Sequence, residues 1–119
     1  MERARVSKKF SFCAAHFLPG YQGKCANMHG HTWEVEFTVE GPIDPETGMV
    51  IDFVTLKELV EPWIEELDHH LLNVIFAMPT AEYLALWFRD RWYFEPPAVE
   101  LASIKVWESP TSCVEVLGE

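Results

Sequence analysis

Alternating apolar and polar residues run through the first part of the chain. Phe10, Phe12 and Ala14 alternate with Lys9, Ser11 and Cys13, the two-residue period of a strand with one buried face. The pattern predicts a strand from about Ala4 to Ala15, and His16 keeps the parity of Phe10 and Phe12. Pro19, Gly20 and Gly23 mark a loop. A second strand is predicted from about His29 to Glu40, with Trp33, Val35, Phe37 and Val39 inward and Thr32, Glu34 and Glu36 outward. Gly41-Pro42 ends it, and Asp44-Pro45-Glu46-Thr47-Gly48 reads as a turn. Met49 to Asp52 reads as a short extended piece. The period then changes. Leu56, Leu59, Val60, Trp63, Ile64 and Leu67 recur at helical spacing, predicting a helix from about Val54 to Leu67 that Pro62 should kink or break. A second helix should start at Thr80, a good N-cap, and stop before Pro96-Pro97. Strands from about Val99 to Glu108 and Cys113 to Leu117 follow, joined by a Ser109-Pro110-Thr111-Ser112 turn.

These elements predict an α+β fold. It is a four-stranded antiparallel sheet with a pair of antiparallel helices, inserted between strands 2 and 3, covering one face. If successive elements alternate in direction, His16, His29-Gly30-His31, Asp68-His69-His70, Thr80 and Glu108 collect at one end of the sheet.

Composition narrows the function classes. The 119 residues fit one domain. A formal net charge of −10 argues against a nucleic-acid partner, though not against a small anion held by a metal and a few local cations. No apolar stretch approaches the roughly 20 residues of a membrane helix, and no signal peptide is apparent. Three cysteines do not make a disulfide framework, so a cytoplasmic location and a free thiol are expected.

The chemistry-bearing residues centre on three histidines. His29 and His31, two apart on a strand, share a face and can chelate one ion. A hairpin pairing would bring His16 to them. Imidazole suits zinc, and three protein ligands leave an open, catalytic position, although nickel, copper and iron also accept imidazole. Gly30 would allow close approach of backbone or ligand. Cys25, four residues before His29, has three readings: a base or nucleophile activated by metal and imidazole, a fourth ligand closing a structural site, or a loop thiol without a role. Asp68 could orient His69 for acid–base work, or His69 could simply favour a helix C-terminus. Glu108 shares the parity of Ile104 and Val106. A carboxylate on an apolar face must be paired or bind something, such as an amidine-like edge, unless it simply ends the strand in solvent. The Thr80 hydroxyl is a cap first and a ligand contact second.

Taken together the motifs resemble the 6-pyruvoyl- and 6-carboxy-tetrahydropterin synthase family. They are Phe12-x-Ala14-Ala15-His16, Cys25-Ala26-Asn27-Met28-His29-Gly30-His31, Gly48-Met49-Val50-Ile51-Asp52-Phe53, Leu67-Asp68-His69, Pro79-Thr80-Ala81-Glu82 and Trp107-Glu108. The resemblance implies a T-fold assembled as a trimer or hexamer with active sites between subunits. It implies Zn²⁺ on His16, His29 and His31, catalysis by Cys25, Asp68 and His69, and pterin binding by Glu108 with Thr80. The implied substrate is 7,8-dihydroneopterin triphosphate. The short chain resembles the 6-carboxy branch, which releases acetaldehyde and triphosphate in queuosine biosynthesis. The alternatives are a pyruvoyl-forming synthase and a non-catalytic zinc or pterin-binding module. Asn73 stands where some family members have Asp, and the last hairpin, from Glu108 to Gly118, carries no basic residue. Lys24, Lys8 and Lys9 are therefore the candidates for the triphosphate.

Overall fold

The first alternation becomes β1, Arg3–His16, and the second becomes β2, His29–Pro42. The computed structural model describes residues 1–118. The helical period becomes α1, Phe53–Leu67, and α2, Ala81–Phe94. The chain closes with β3, Glu100–Ser109, and β4, Ser112–Leu117. All pairings are antiparallel, in the order β1-β2-β3-β4. Two strands of 14 residues pair along their whole length, giving the molecule its 53 Å long axis.

The core lies between the sheet and the helix pair. Phe12, Trp33, Val35, Phe37, Val39, Ile104 and Val106 meet Leu56, Val60, Ile64 and Leu67 of α1, and Leu84, Ala85, Phe88 and Trp92 of α2. Phe37 sits at its centre, with ring centroids of Phe88 at 5.7 Å and Trp92 at 5.9 Å. Burying a large side chain of this kind contributes about 1.5–3 kcal/mol, so this face holds the helices to the sheet. Trp87 of α2 is only partly buried and carries the Arg91 guanidinium 4.3 Å from its ring.

Two local expectations need correction. Met49 to Asp52 is a bend rather than an extended piece. Its Val50 lies against Gly41, where an added Cβ would come within 3.2 Å of Cγ1, and Asp52 turns to cap α1 by accepting from the Val54 N–H at 2.8 Å. Helix α1 also runs through Pro62 without a break. Pro62 and Glu58, whose carbonyl loses its helical donor, are both exposed, so solvent can satisfy that carbonyl.

Thr80 caps α2, its hydroxyl accepting from the Tyr83 N–H at 3.2 Å. Two single 3₁₀ turns, Lys24–Ala26 and Leu72–Val74, were not expected from the pattern. Among the described residues no helix is long and apolar enough to cross a membrane.

Candidate metal centre and active site

Strand register builds the histidine cluster. His16 pairs with His29, Ala14 with His31 and Phe12 with Trp33. All three imidazoles therefore fall on the helix-covered face at the end of the β1–β2 ladder, with ring centroids 4.6 to 5.1 Å apart. Trp33, fully buried, forms the floor against His16 at 5.0 Å and His31 at 5.4 Å.

The hydrogen bonds set the tautomers. His16 Nδ1 donates to the Pro79 carbonyl at 2.7 Å, and His29 Nδ1 donates to the Asn27 carbonyl at 2.7 Å. A carbonyl only accepts, so Nδ1 carries the proton and a neutral ring presents its Nε2 lone pair. Nε2 of His16, His29 and His31 are all buried, and none has a hydrogen-bond partner. Buried nitrogens left without partners are costly. Three converging Nε2 atoms fit one cation, and the outer Nδ1 bonds of His16 and His29 to carbonyls are the usual support of ligating histidines. Burial holds His31 below its ordinary value of 6.5. The neighbouring His16 and His29 act in the same direction and the Glu108 carboxylate opposes, so His31 stays in the neutral form that ligates.

Glu108 completes the cluster. Its Oε1 stands 3.2 Å from His31 Nε2 and 4.0 Å from His16 Nε2. One donor atom from each of His16, His29, His31 and Glu108 lies within 4.8 Å of the others, a set able to hold a metal ion. The glutamate comes from the same chain as the histidines. The β3–β4 register slips between Trp107 and Ser109, leaving Glu108 unpaired at a bulge that aims its side chain.

The other candidates lie nearby but outside this donor set. Cys25 is partly buried in its 3₁₀ turn, and its carbonyl accepts from Leu18 N–H at 2.8 Å. The thiol is not among the clustered donors, so the closed site with Cys25 as fourth ligand is not formed. Asp68 and His69 run along the free edge of β1. Asp68 Oδ1 accepts from the Cys13 N–H at 2.9 Å and stands 3.0 Å from His69 Nδ1. The Cys13 N–H holds the Asp68 carboxyl below its ordinary value, helped by His69 and opposed by desolvation. The His69 N–H donates to the Cys13 carbonyl at 2.6 Å, and the Ala15 N–H donates to the His70 carbonyl at 3.2 Å. His69 has φ 60° and a side chain 80% exposed. It borders a shallow cleft lined also by Cys13, Gly30, Thr32 and His70. Among the described residues nothing lies within 4 Å of where a Gly30 Cβ would stand, so no backbone of the described residues makes the close approach there.

Sequence reading missed the supports. Asn73 clamps the loop after His16: its Oδ1 accepts from the Phe17 N–H at 3.0 Å and its Nδ2 donates to the Phe17 carbonyl at 2.9 Å. Of the proposed cations, Lys9 pairs with Glu34 at 3.7 Å and stacks on Trp107. Lys8 lies over Phe10. Lys24 is exposed in the loop beside the cluster. A second cleft, of about 550 Å³, at the opposite end of the sheet has no histidine or cysteine in its lining.

Residues 5–119 match the family described as 6-pyruvoyl tetrahydropterin synthase. The chain belongs to this family. It is 38% identical to a dihydroneopterin monophosphate aldolase of Pyrococcus furiosus, over 96% of this chain and 97% of that protein. It is 32% identical to the 6-carboxy-5,6,7,8-tetrahydropterin synthase of Haemophilus influenzae, over 93% and 96%. The solved 6-pyruvoyl tetrahydropterin synthase of Caenorhabditis elegans superposes with a TM-score of 0.88 at 25% identity, over 100% of this chain and 98% of that one. The architecture is the T-fold of this family, and the chain is a lyase of the tetrahydropterin-synthase type.

Proposed function

We propose that the chain is a zinc-dependent carbon–carbon lyase that converts 7,8-dihydroneopterin triphosphate to 6-carboxy-5,6,7,8-tetrahydropterin, releasing acetaldehyde and triphosphate, in queuosine biosynthesis in the cytoplasm. The observation that carries this reading is the convergence of three buried, partnerless Nε2 atoms in a chain of this family. His16, His29 and His31 would hold the ion. Zinc, when bound, supplies Lewis acidity toward the substrate's side-chain oxygens and the adjacent C–H bonds.

The remaining roles fall to the chain's own groups. Cys25 takes and returns protons at the substrate side chain. His69, with its Nδ1 beside Asp68, is the second proton carrier. Glu108 accepts two hydrogen bonds from the amino-pyrimidine edge, with Thr80 beside it at the start of α2. The position of Asp68 and His69 on a free strand edge supports an assembly, trimer or hexamer, in which this pair faces the cluster of another copy.

A second reading, retro-aldol cleavage of the monophosphate, is favoured by the Pyrococcus relative and by the scarcity of cations. Lys9 is engaged by Glu34, which leaves few charges near the cluster for a triphosphate. The test is to incubate zinc-loaded protein with each dihydroneopterin phosphate and identify products by mass. Acetaldehyde with the 6-carboxy product supports the first reading. Glycolaldehyde phosphate with a 6-hydroxymethyl dihydropterin supports the second. Intact substrates at saturating zinc overturn both.

A further inference from the structure

We propose that Glu108 has two seats: in the substrate-free protein it is the fourth donor to the metal, and a pterin's amidine-like edge draws it off. This rests on the site being the metal centre of a pterin lyase. Two donors held about 2.0–2.1 Å from one tetrahedral ion stand about 3.3 Å apart. The Glu108 Oε1 to His31 Nε2 separation is 3.2 Å. That contact is an ion-pair distance without hydrogen-bond geometry, since His31 Nε2 has no hydrogen-bond partner. A carboxylate oxygen facing imidazole lone pairs needs a shared cation between them, and a tetrahedral ion supplies one.

The second seat is next to the first. Glu108 also lines a small cleft of about 120 Å³ with Ala81, Glu82, Ser112, Cys113 and Val114. The bulge leaves Glu108 without a strand partner opposite it, so its side chain can change seats without breaking a ladder pair. A planar edge with two N–H donors there would give the carboxylate two charge-assisted hydrogen bonds in exchange for one metal bond. The coordination position needed by the side-chain oxygens then opens only when the ring is seated.

Linkage makes this measurable apart from turnover. If the ring removes a ligand, a pterin lacking the side chain must weaken metal binding, and the metal must weaken binding of that pterin by the same factor. The experiment titrates zinc against a chromophoric chelator and records the visible spectrum of the Co²⁺-loaded protein, with and without 7,8-dihydropterin. The wild type, Glu108→Gln and Glu108→Ala are compared, with folding checked by circular dichroism. We expect both variants to lose about tenfold or more in metal affinity. Dihydropterin should lower wild-type affinity and change its Co²⁺ spectrum, and should do neither in the variants. Unchanged affinity and spectrum in folded Glu108→Gln and Glu108→Ala, in a wild type that binds metal and turns substrate over, would overturn the two-seat role and leave the lyase reading standing. Failure of the wild type to take up either metal would overturn both.

Discussion

The histidine–glutamate cluster and the Asp68–His69 segment occupy the same end of the sheet in opposite surroundings. The cluster faces the helices. His16 is 1% exposed, and the Nδ1 atoms of His16 and His29 are held by backbone carbonyls while all three Nε2 atoms are aimed at one another. The Asp68–His69 pair satisfies its own backbone along β1 and turns its imidazole to solvent. One group is a complete set of donors within a single chain. The other is held in position and lacks a target. The difference teaches that pre-organisation can come from burial or from an edge-strand dock, and that only the second leaves a side chain free to act on another surface.

The hardest test of that division is complementation. His29→Ala is expected to lose metal by more than about 100-fold in affinity, exceeding the effect of removing an outer support, and His69→Ala to keep it. Both should be inactive alone. Mixed and reassembled, they should recover about a quarter of wild-type turnover, the random-mixing share when each site draws on two chains. No recovery would place both groups in one chain's site. Next in size, Cys25→Ala is expected to lower kcat about 10²–10⁴-fold with metal content unchanged. Loss of metal instead would return the thiol to the ligand set.

Asn73→Asp replaces the amide that donates to the Phe17 carbonyl with a carboxylate that cannot. A loss of about 1–2 kcal/mol, read from urea unfolding, is expected; an unchanged midpoint would mean the loop does not depend on this clamp. The smallest effect concerns His69, whose φ of 60° is uncommon for a side-chain-bearing residue. His69→Gly should hold or raise stability, by up to about 1 kcal/mol, while removing turnover. A destabilised variant would make the histidine structural. The dock should also respond to pH. The Cys13 N–H stabilises ionised Asp68 in the folded state, so the folded protein binds this proton less readily than the unfolded one. The contribution is present above the ordinary carboxylate value and is lost as pH falls through the lowered one. Protection of the Cys13 amide against hydrogen exchange, taken relative to its intrinsic rate at each pH, should fall over that acid range, while an unchanged protection would show that the charge on Asp68 does not hold the segment.

Much of this was legible along the chain. Parity placed His16, His29 and His31 on the face of Phe12 and Trp33, because a strand's side chains alternate whatever surrounds it. Helical spacing located α1 and α2, and Thr80 marked the cap. Parity also suggested that Glu108 faces inward. It could not show that a bulge brings this glutamate to the histidines of its own chain, since a register slip depends on both strands. Nor could it show the side of β1 along which residues 68–71 run, or that Asn73 and Pro79 support the site through Phe17 and His16, 56 and 63 residues away in chain order.

The residue order alone determined which groups share a face, where the helices begin, and that three imidazoles could meet one ion, because these follow from the local geometry of strand and helix. Tertiary structure decided what local geometry cannot carry: the His16 tautomer set by the distant Pro79 carbonyl, the approach of Glu108 to His31, and the outward presentation of His69. Each of these depends on segments that meet only when the sheet, its bulge and the helix pair are assembled.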